Sequence, residues 1–260
     1  MIDIHSHLIP NIDDGSQDIS HSIAQLKLME AGGVNGLFLT SHYFRGHYHY
    51  SREEYDKRKN TLVEAAKAAG IGIKLHSGFE IFVQPGIVED IKEKNLTMGD
   101  SKYILVESEL NGLPSDFYAN VFPLLRAGYR PILAHAERYV SMMKKPNRAR
   151  EMNDKNIYVQ TNAGSLLGLY GEKVRQTAWI MIENGWSHFL ASDDHVRGDY
   201  QVMFDAHQLI CERIDKHTAD LLCHDFPGMI ANGENVPYTY VHVHRPRKHH
   251  RRSFFRRLFG

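Results

Sequence analysis

Cysteine is scarce in this chain: Cys211 and Cys223 are the only two in 260 residues. Both fall in segments that read as helix, which argues against a disulfide framework and fits a reducing compartment. No apolar run approaches the roughly 18 residues that would suggest a bilayer span. The N-terminus also lacks the basic and then apolar regions of a secretory signal. Formal net charge is zero, with 42% hydrophobic and 24% charged residues, an ordinary composition for a soluble globular protein. The expected location is the cytoplasm.

The zero net charge hides an asymmetry. Beyond residue 244 lie seven basic residues (Arg245, Arg247, Lys248, Arg251, Arg252, Arg256 and Arg257) and no acidic one. Residues 1–244 therefore carry 24 basic against 31 acidic groups, a balance of −7. An acidic body argues against a nucleic-acid groove. The tail interleaves arginines with Phe254, Phe255, Leu258 and Phe259, a pattern suited to an anionic membrane surface or an acidic partner. The division expected is one domain over residues 1–240 and a basic, aromatic tail over 241–260. A chain of this length accommodates one α/β barrel undivided.

Within the body, short β-branched or aliphatic runs alternate with amphipathic stretches. The runs are 2–5, 36–41, 71–78, 103–107, 131–135, 157–161 and 188–192. Ser16 is placed to cap a first helix that ends near Gly32-Gly33. Ser51 and Glu54 have capping-box spacing before a long charged helix. Ser115 and Gly164 are candidate helix starts, and Gly128 and Gly185 candidate ends. Strands alternating with helices predict parallel βα units, and seven of them favour a distorted seven-stranded, TIM-like (β/α) barrel over an open sheet.

The chain opens MIDIHSHLIP, with His5 and His7 on one face if that stretch is extended. Similar side chains recur beside the other predicted strands: His42 (LFLTSH), Glu80 (HSGFE), Glu107 (ILVE), His135 (PILAH), and Asp193 with His195 (FLASDDH). Six of the seven strands are marked in this way, at the rim where parallel barrels assemble their active sites. Asp14, from the loop IDDG, makes a ninth candidate, with Asp13 as its alternative. His76 and His188 read as structural. Imidazoles and carboxylates without thiolate suit Mn²⁺, Fe²⁺ or Zn²⁺. Nine donors exceed the needs of one ion, so two or three ions are expected, a grouping that can drive displacement at phosphorus.

Together, MIDIHSH, DDG, TSH, GFEI, PILAHAERY and ASDDH resemble the polymerase-and-histidinol-phosphatase superfamily. More narrowly, they resemble its bacterial tyrosine-protein phosphatases from capsule and exopolysaccharide loci. The resemblance implies a trinuclear, usually manganese-dependent centre held by His5, His7, Asp14, His42, Glu80, Glu107, His135, Asp193 and His195. It implies that Arg138 contacts the substrate phosphate, and Arg197 is the nearby candidate for a second phosphate-binding arginine. The reaction implied is phosphotyrosine hydrolysis by metal-activated hydroxide. The substrate class is a tyrosine-phosphorylated protein, in particular the tail of a bacterial tyrosine kinase at the inner membrane face. Cysteine-dependent chemistry needs an arginine six residues after the nucleophile, but His217 and Met229 occupy those positions. Arg45, among the aromatics of residues 43–50, is a candidate for substrate binding at the barrel mouth. Two other functions fit the same residues: a histidinol-phosphate or other small-molecule phosphatase, and a non-catalytic metal-binding regulator tethered by its tail.

Overall fold

The computed structural model describes residues 1–113, 116–198 and 200–240. Ser115 and the 241–260 tail lie outside these. Seven strands form one sheet in sequential order, every neighbouring pair parallel. They are β1 (Ile2–Asp3), β2 (Gly36–Tyr43), β3 (Lys74–Phe82), β4 (Tyr103–Glu107), β5 (Arg130–Leu133), β6 (Tyr158–Asn162) and β7 (Phe189–Ala191). The last strand returns to the first: Ser6 bridges Asp194, His7 N–H donates to the Asp194 carbonyl (2.8 Å), and Asp193 N–H donates to the His5 carbonyl (3.0 Å). The sheet is thereby a nearly closed barrel of βα units.

The helices follow the strands in sequence: α1 (Ile19–Ala31), α2 (Arg52–Ala68), α3 (Ile87–Lys94), α4 (Phe117–Arg126), α5 (Val140–Lys144), α6 (Arg148–Asn153), α7 (Ala163–Leu166), α8 (Glu172–Glu183), α9 (Val202–Arg213), α10 (Lys216–Asp220) and α11 (Phe226–Ala231). A 3₁₀ turn covers Ala136–Arg138, and a π-helical turn, Leu221–Asp225, joins α10 to α11. Ser51 caps α2 by accepting the Glu54 N–H at 3.1 Å, as its spacing predicts. Gly128 and Gly185 follow α4 and α8 with positive φ.

Three expectations need correction. Ser16 does not cap α1; Asp18 accepts the His21 N–H (2.9 Å), while the Ser16 hydroxyl turns inward to Ser22. Gly164 lies inside α7, whose N-cap is Asn162. The third strand begins at Lys74 rather than Ile71, because the Ile71 N–H is still bonded to the Ala66 carbonyl at the end of α2.

Strand alternation sorts the side chains. Leu37, Leu39, Ile104, Val106 and Leu133 pack outward beneath the helices. Phe38, Tyr103, Leu105, Ile132, Tyr158 and Phe189 point into the barrel, which Phe226, Ile230 and Val236 close from below. This apolar floor fills the lower barrel, so polar side chains collect at the C-terminal ends of the strands.

Candidate metal centre

Register alone brings the first ligands together. His42 on β2 and Glu80 on β3 are direct partners in the parallel ladder, and Glu107 ends β4 beside Phe82. His5 and His7 follow β1, His135 follows β5, and Asp193 and His195 follow β7. The strands β2 and β3 run past His42 and Glu80, so these two belong to their strands rather than to the loops after them.

Glu80 is the hub. Its Oε2 lies 3.2 Å from His5 Nε2, 3.4 Å from His7 Nε2 and 3.1 Å from His42 Nδ1, and its Oε1 lies 2.8 Å from His135 Nε2. Asp193 Oδ1 is 3.3 Å from His5 Nε2 and 3.6 Å from His7 Nε2. Asp14 Oδ1 stands between His42 Nε2 (3.4 Å) and His195 Nε2 (3.3 Å), and Glu107 Oε1 is 3.1 Å from His42 Nδ1. Three overlapping donor sets result: His7, Asp14, His42 and His195; His5, His7, Glu80 and Asp193; and His42, Glu80 and Glu107. His135 joins them through Glu80.

The contacts are close, yet they leave several polar atoms unsatisfied. Among the described residues, Glu80 Oε2, His42 Nδ1 and His135 Nδ1 are buried without a hydrogen-bond partner, and the Nε2 atoms of His5 and His7 face each other at 3.2 Å. Buried acceptors are seldom left so. Convergent lone pairs on imidazole and carboxylate are what borderline divalent cations require. The residues present therefore fit a polynuclear metal centre.

Neighbouring groups aim the rings. His7 Nδ1 meets Asp13 Oδ2 at 2.9 Å, His5 Nδ1 meets Gln160 Oε1 at 3.2 Å, and His195 Nδ1 meets the Asp193 carbonyl at 2.9 Å. Each contact engages Nδ1 and leaves Nε2 to the cluster, the usual support for a ligating histidine. Asp13 is thus the orienting carboxylate and Asp14 the one inside the cluster. Asp13 also accepts the N–H groups of His42 (3.0 Å) and Gly15 (3.1 Å). Glycine is required in IDDG because a Cβ at Gly15 would stand 2.0 Å from the His7 carbonyl oxygen. His135 and Asp193 hold left-handed φ of 34° and 56°, a strained setting that functional sites often carry.

Electrostatics follow from this crowding. Burial alone would lower His7 and His42, but Asp13 raises the first to about 10, and Glu80 with Asp14 and Glu107 raises the second to about 12. Burial would raise Glu80, yet His5, His42 and His135 hold it well below the ordinary carboxylate range. The carboxylates demand positive charge, met by protons on imidazole or by divalent cations in their place.

A cavity of about 500 Å³ opens over the cluster, bordered by Arg138, Arg197, Leu110, Leu169, Tyr170 and Val202. Arg138 Nη1 donates to Asp193 Oδ2 at 3.0 Å, and its guanidinium lies 4.5 Å from the Tyr170 ring centroid. Arg197 is exposed and pairs with Asp14 Oδ2 at 2.9 Å. Arg45 is not brought to this cavity: Asp90 (3.5 Å) and the Pro85 carbonyl hold it outside. Within its loop, Tyr48 stacks on His42 at 5.2 Å and Phe44 on Phe82 at 4.1 Å. His76 stacks on Phe38, and His188 lies in the floor.

Sequence reasoning missed the amides of β6, the strand without a charged ligand. Gln160 Oε1 accepts from His135 N–H (2.9 Å) as well as from His5; its Nε2 donates to Asn162 Oδ1 (2.7 Å), and Asn162 Nδ2 donates to Asp193 Oδ2 (2.8 Å). Their i, i+2 spacing at a strand's C-terminal end was the available signal.

Fold and site define a parallel β/α barrel with a cluster of imidazole and carboxylate donors at its mouth. The family model described as "Capsular polysaccharide synthesis, CpsB/CapC" matches residues 1–232, and the chain belongs to that family. CapC of Staphylococcus aureus is 32% identical over 198 residues, covering 75% of this chain and 77% of that protein. The tyrosine-protein phosphatase YwqE of Bacillus subtilis (strain 168) is 30% identical over 200 residues, covering 75% and 77%. A crystal structure from work on YwqE of Bacillus subtilis and CpsB of Streptococcus pneumoniae, described as metal-dependent tyrosine phosphatases, superposes with a TM-score of 0.84. It is 24% identical and covers 91% of this chain and 96% of that one. The zinc-containing histidinol phosphate phosphatase of Lactococcus lactis subsp. lactis Il1403 shares the fold at a TM-score of 0.55 and 12% identity, covering 85% and 95%.

Proposed function

We propose that this chain is a metal-dependent protein-tyrosine phosphatase, with Mn²⁺ as its working ion and the phosphorylated tail of a bacterial tyrosine kinase as its substrate. The observation that carries the reading is the convergence of nine imidazole and carboxylate side chains, Glu80 at their hub, in overlapping donor sets beneath Arg138. Membership of the capsular polysaccharide family and likeness to named tyrosine phosphatases support it. Free Cys211 and Cys223, one of them in α9 and the other in the π-helical turn, lie apart from the cavity.

His5, His7, Asp14, His42, Glu80, Glu107, His135, Asp193 and His195 would hold the ions, which supply an activated water and positive charge at phosphorus. Arg138 offers a fixed guanidinium at the rim of the cluster. Asp193 and the Tyr170 ring restrain it, and Nη1 is its one nitrogen with a hydrogen-bond partner among the described residues. Its remaining donors are available to phosphate oxygens, whose charge it offsets as the P–O bond breaks. Leu169 and Tyr170, both exposed at the cavity's lip, give an aryl ring an apolar wall. Arg197 can release Asp14 to meet phosphate only by breaking an exposed ion pair, which costs little.

Hydrolysis by metal-stripped protein, before and after adding Mn²⁺, tests this reading with a phosphotyrosine peptide and histidinol phosphate side by side. Manganese-restored turnover of the peptide is expected. Preference for histidinol phosphate would assign a small-molecule phosphatase, and bound metal without turnover of either would make the protein a metal-binding regulator.

A further inference from the structure

Residues 200–240 carry a second group of donors, separate from the ligands at the barrel mouth. His207 projects from α9, Asp220 ends α10, and His224 lies in the π-helical turn that follows. One donor atom from each lies within 4.8 Å of the other two. His207 Nε2 and Asp220 Oδ1 are 3.1 Å apart, near the separation of two ligands that share a tetrahedral ion at ~2.0–2.1 Å from each. The rings of His207 and His224 stand at 85°, centroids 5.8 Å apart, so they meet edge to face and do not stack.

Two features favour a cation here over a plain ion pair. Cys211 Sγ, one helical turn along α9, lies 3.7 Å from His207 Nδ1, so the far side of that ring is engaged and Nε2 is left to face Asp220. The turn carrying His224 is π-helical, a rare irregularity that recurs at functional sites. All three side chains are half-buried, which leaves a solvent path to them. Lys216 also pairs with the other Asp220 oxygen and balances part of its charge.

We propose that His207, Asp220 and His224 form a second metal site, suited to a borderline divalent ion such as Zn²⁺, with water as the fourth ligand. The site ties α9 to the α10–π segment, and that segment packs against β1 and β7, the strands that lead into His5, His7 and Asp193. Its role is to brace the barrel beneath the first site.

The full-length chain, stripped of metal, reloaded with excess Zn²⁺ and desalted, gives the test when zinc per chain is counted by native mass spectrometry. His224→Gln and Asp220→Asn are each expected to retain one zinc fewer than wild type, with far-UV circular dichroism unchanged. Cys211→Ser should keep the count and weaken zinc affinity by about 10–100-fold, the usual effect of removing a group that orients a ligand. Equal zinc counts in wild type and in whichever of the two variants folds would overturn the proposal. Should neither variant fold, wild-type zinc affinity measured against Cys211→Ser decides it, and identical affinities would count against the site.

Discussion

The two ends of this barrel treat histidine in opposite ways. At the mouth, His7 and His42 sit among carboxylates that override burial and raise them to about 10 and about 12. At the floor, burial pushes His188 down to about 4, opposed only by a hydrogen bond to the Tyr238 carbonyl. Its Nε2 lies 3.0 Å from that carbonyl and its Nδ1 accepts the Val159 N–H at 3.4 Å, which selects one neutral tautomer. His7 and His188 are both fully buried, so burial cannot explain the difference. The mouth gathers carboxylates that recruit cations, whereas the floor surrounds its imidazole with Tyr158, Phe189 and Tyr240. One barrel is thereby divided into an end that binds and an end that packs.

The largest effect should come from making the mouth resemble the floor. His135→Ala removes the ring 2.8 Å from Glu80 Oε1 and leaves a buried carboxylate short of a partner. Mn²⁺-supported hydrolysis is expected to fall by more than about 10³-fold, beyond the cost of losing a single transition-state hydrogen-bond donor. Steady-state kinetics and metal content, measured on the same folded preparation, check this. Full activity would remove His135 from the site.

The next effect belongs to the floor and reads as stability. In the unfolded chain a histidine takes up its proton near pH 6.5, whereas native His188 does so only near 4. Between those values the unfolded state binds more protons, so stability falls as pH falls. The displacement amounts to roughly 3 kcal/mol across that window. His188→Gln should remove this share of the acid-side loss. Urea unfolding at pH 7, 5.5 and 4.5 measures the difference in slope; parallel slopes would mean that His188 charges freely in the native floor.

Sequence made the mouth more legible than its supports. Each ligand had to be an imidazole or a carboxylate, and each had to follow an aliphatic run, so His42, Glu80, Glu107 and His135 declared themselves twice over. Gln160 and Asn162 carry no charge, and their amides become meaningful only once β6 is set between β5 and β7. The seven strands were legible from their aliphatic runs, but their ends were not. Ile71 and Ile73 look like strand residues, yet the end of α2 captures the Ile71 N–H. Arg45 sits among aromatics in sequence, but Asp90 on α3 turns it away. His207, Asp220 and His224 escaped notice because they meet only through the packing of α9 on α10 and the turn after it.

The smallest effect sharpens the same contrast from within the mouth. Tyr170 is a floor-like ring placed beside the charged cluster, its centroid 4.5 Å from the Arg138 guanidinium. A cation–π contact of this kind contributes about 0.5–2 kcal/mol, depending on exposure. Tyr170→Leu keeps an apolar wall but removes the π face, so kcat/KM for a phosphotyrosine peptide should fall by about 2–30-fold. Tyr170→Phe keeps the face and should match wild type. If Leu and Phe behave alike, the ring serves only as a wall and the Asp193 hydrogen bond alone positions Arg138. If only Leu loses activity, the mouth uses an aromatic ring to hold a charge, whereas the floor uses its rings to exclude one.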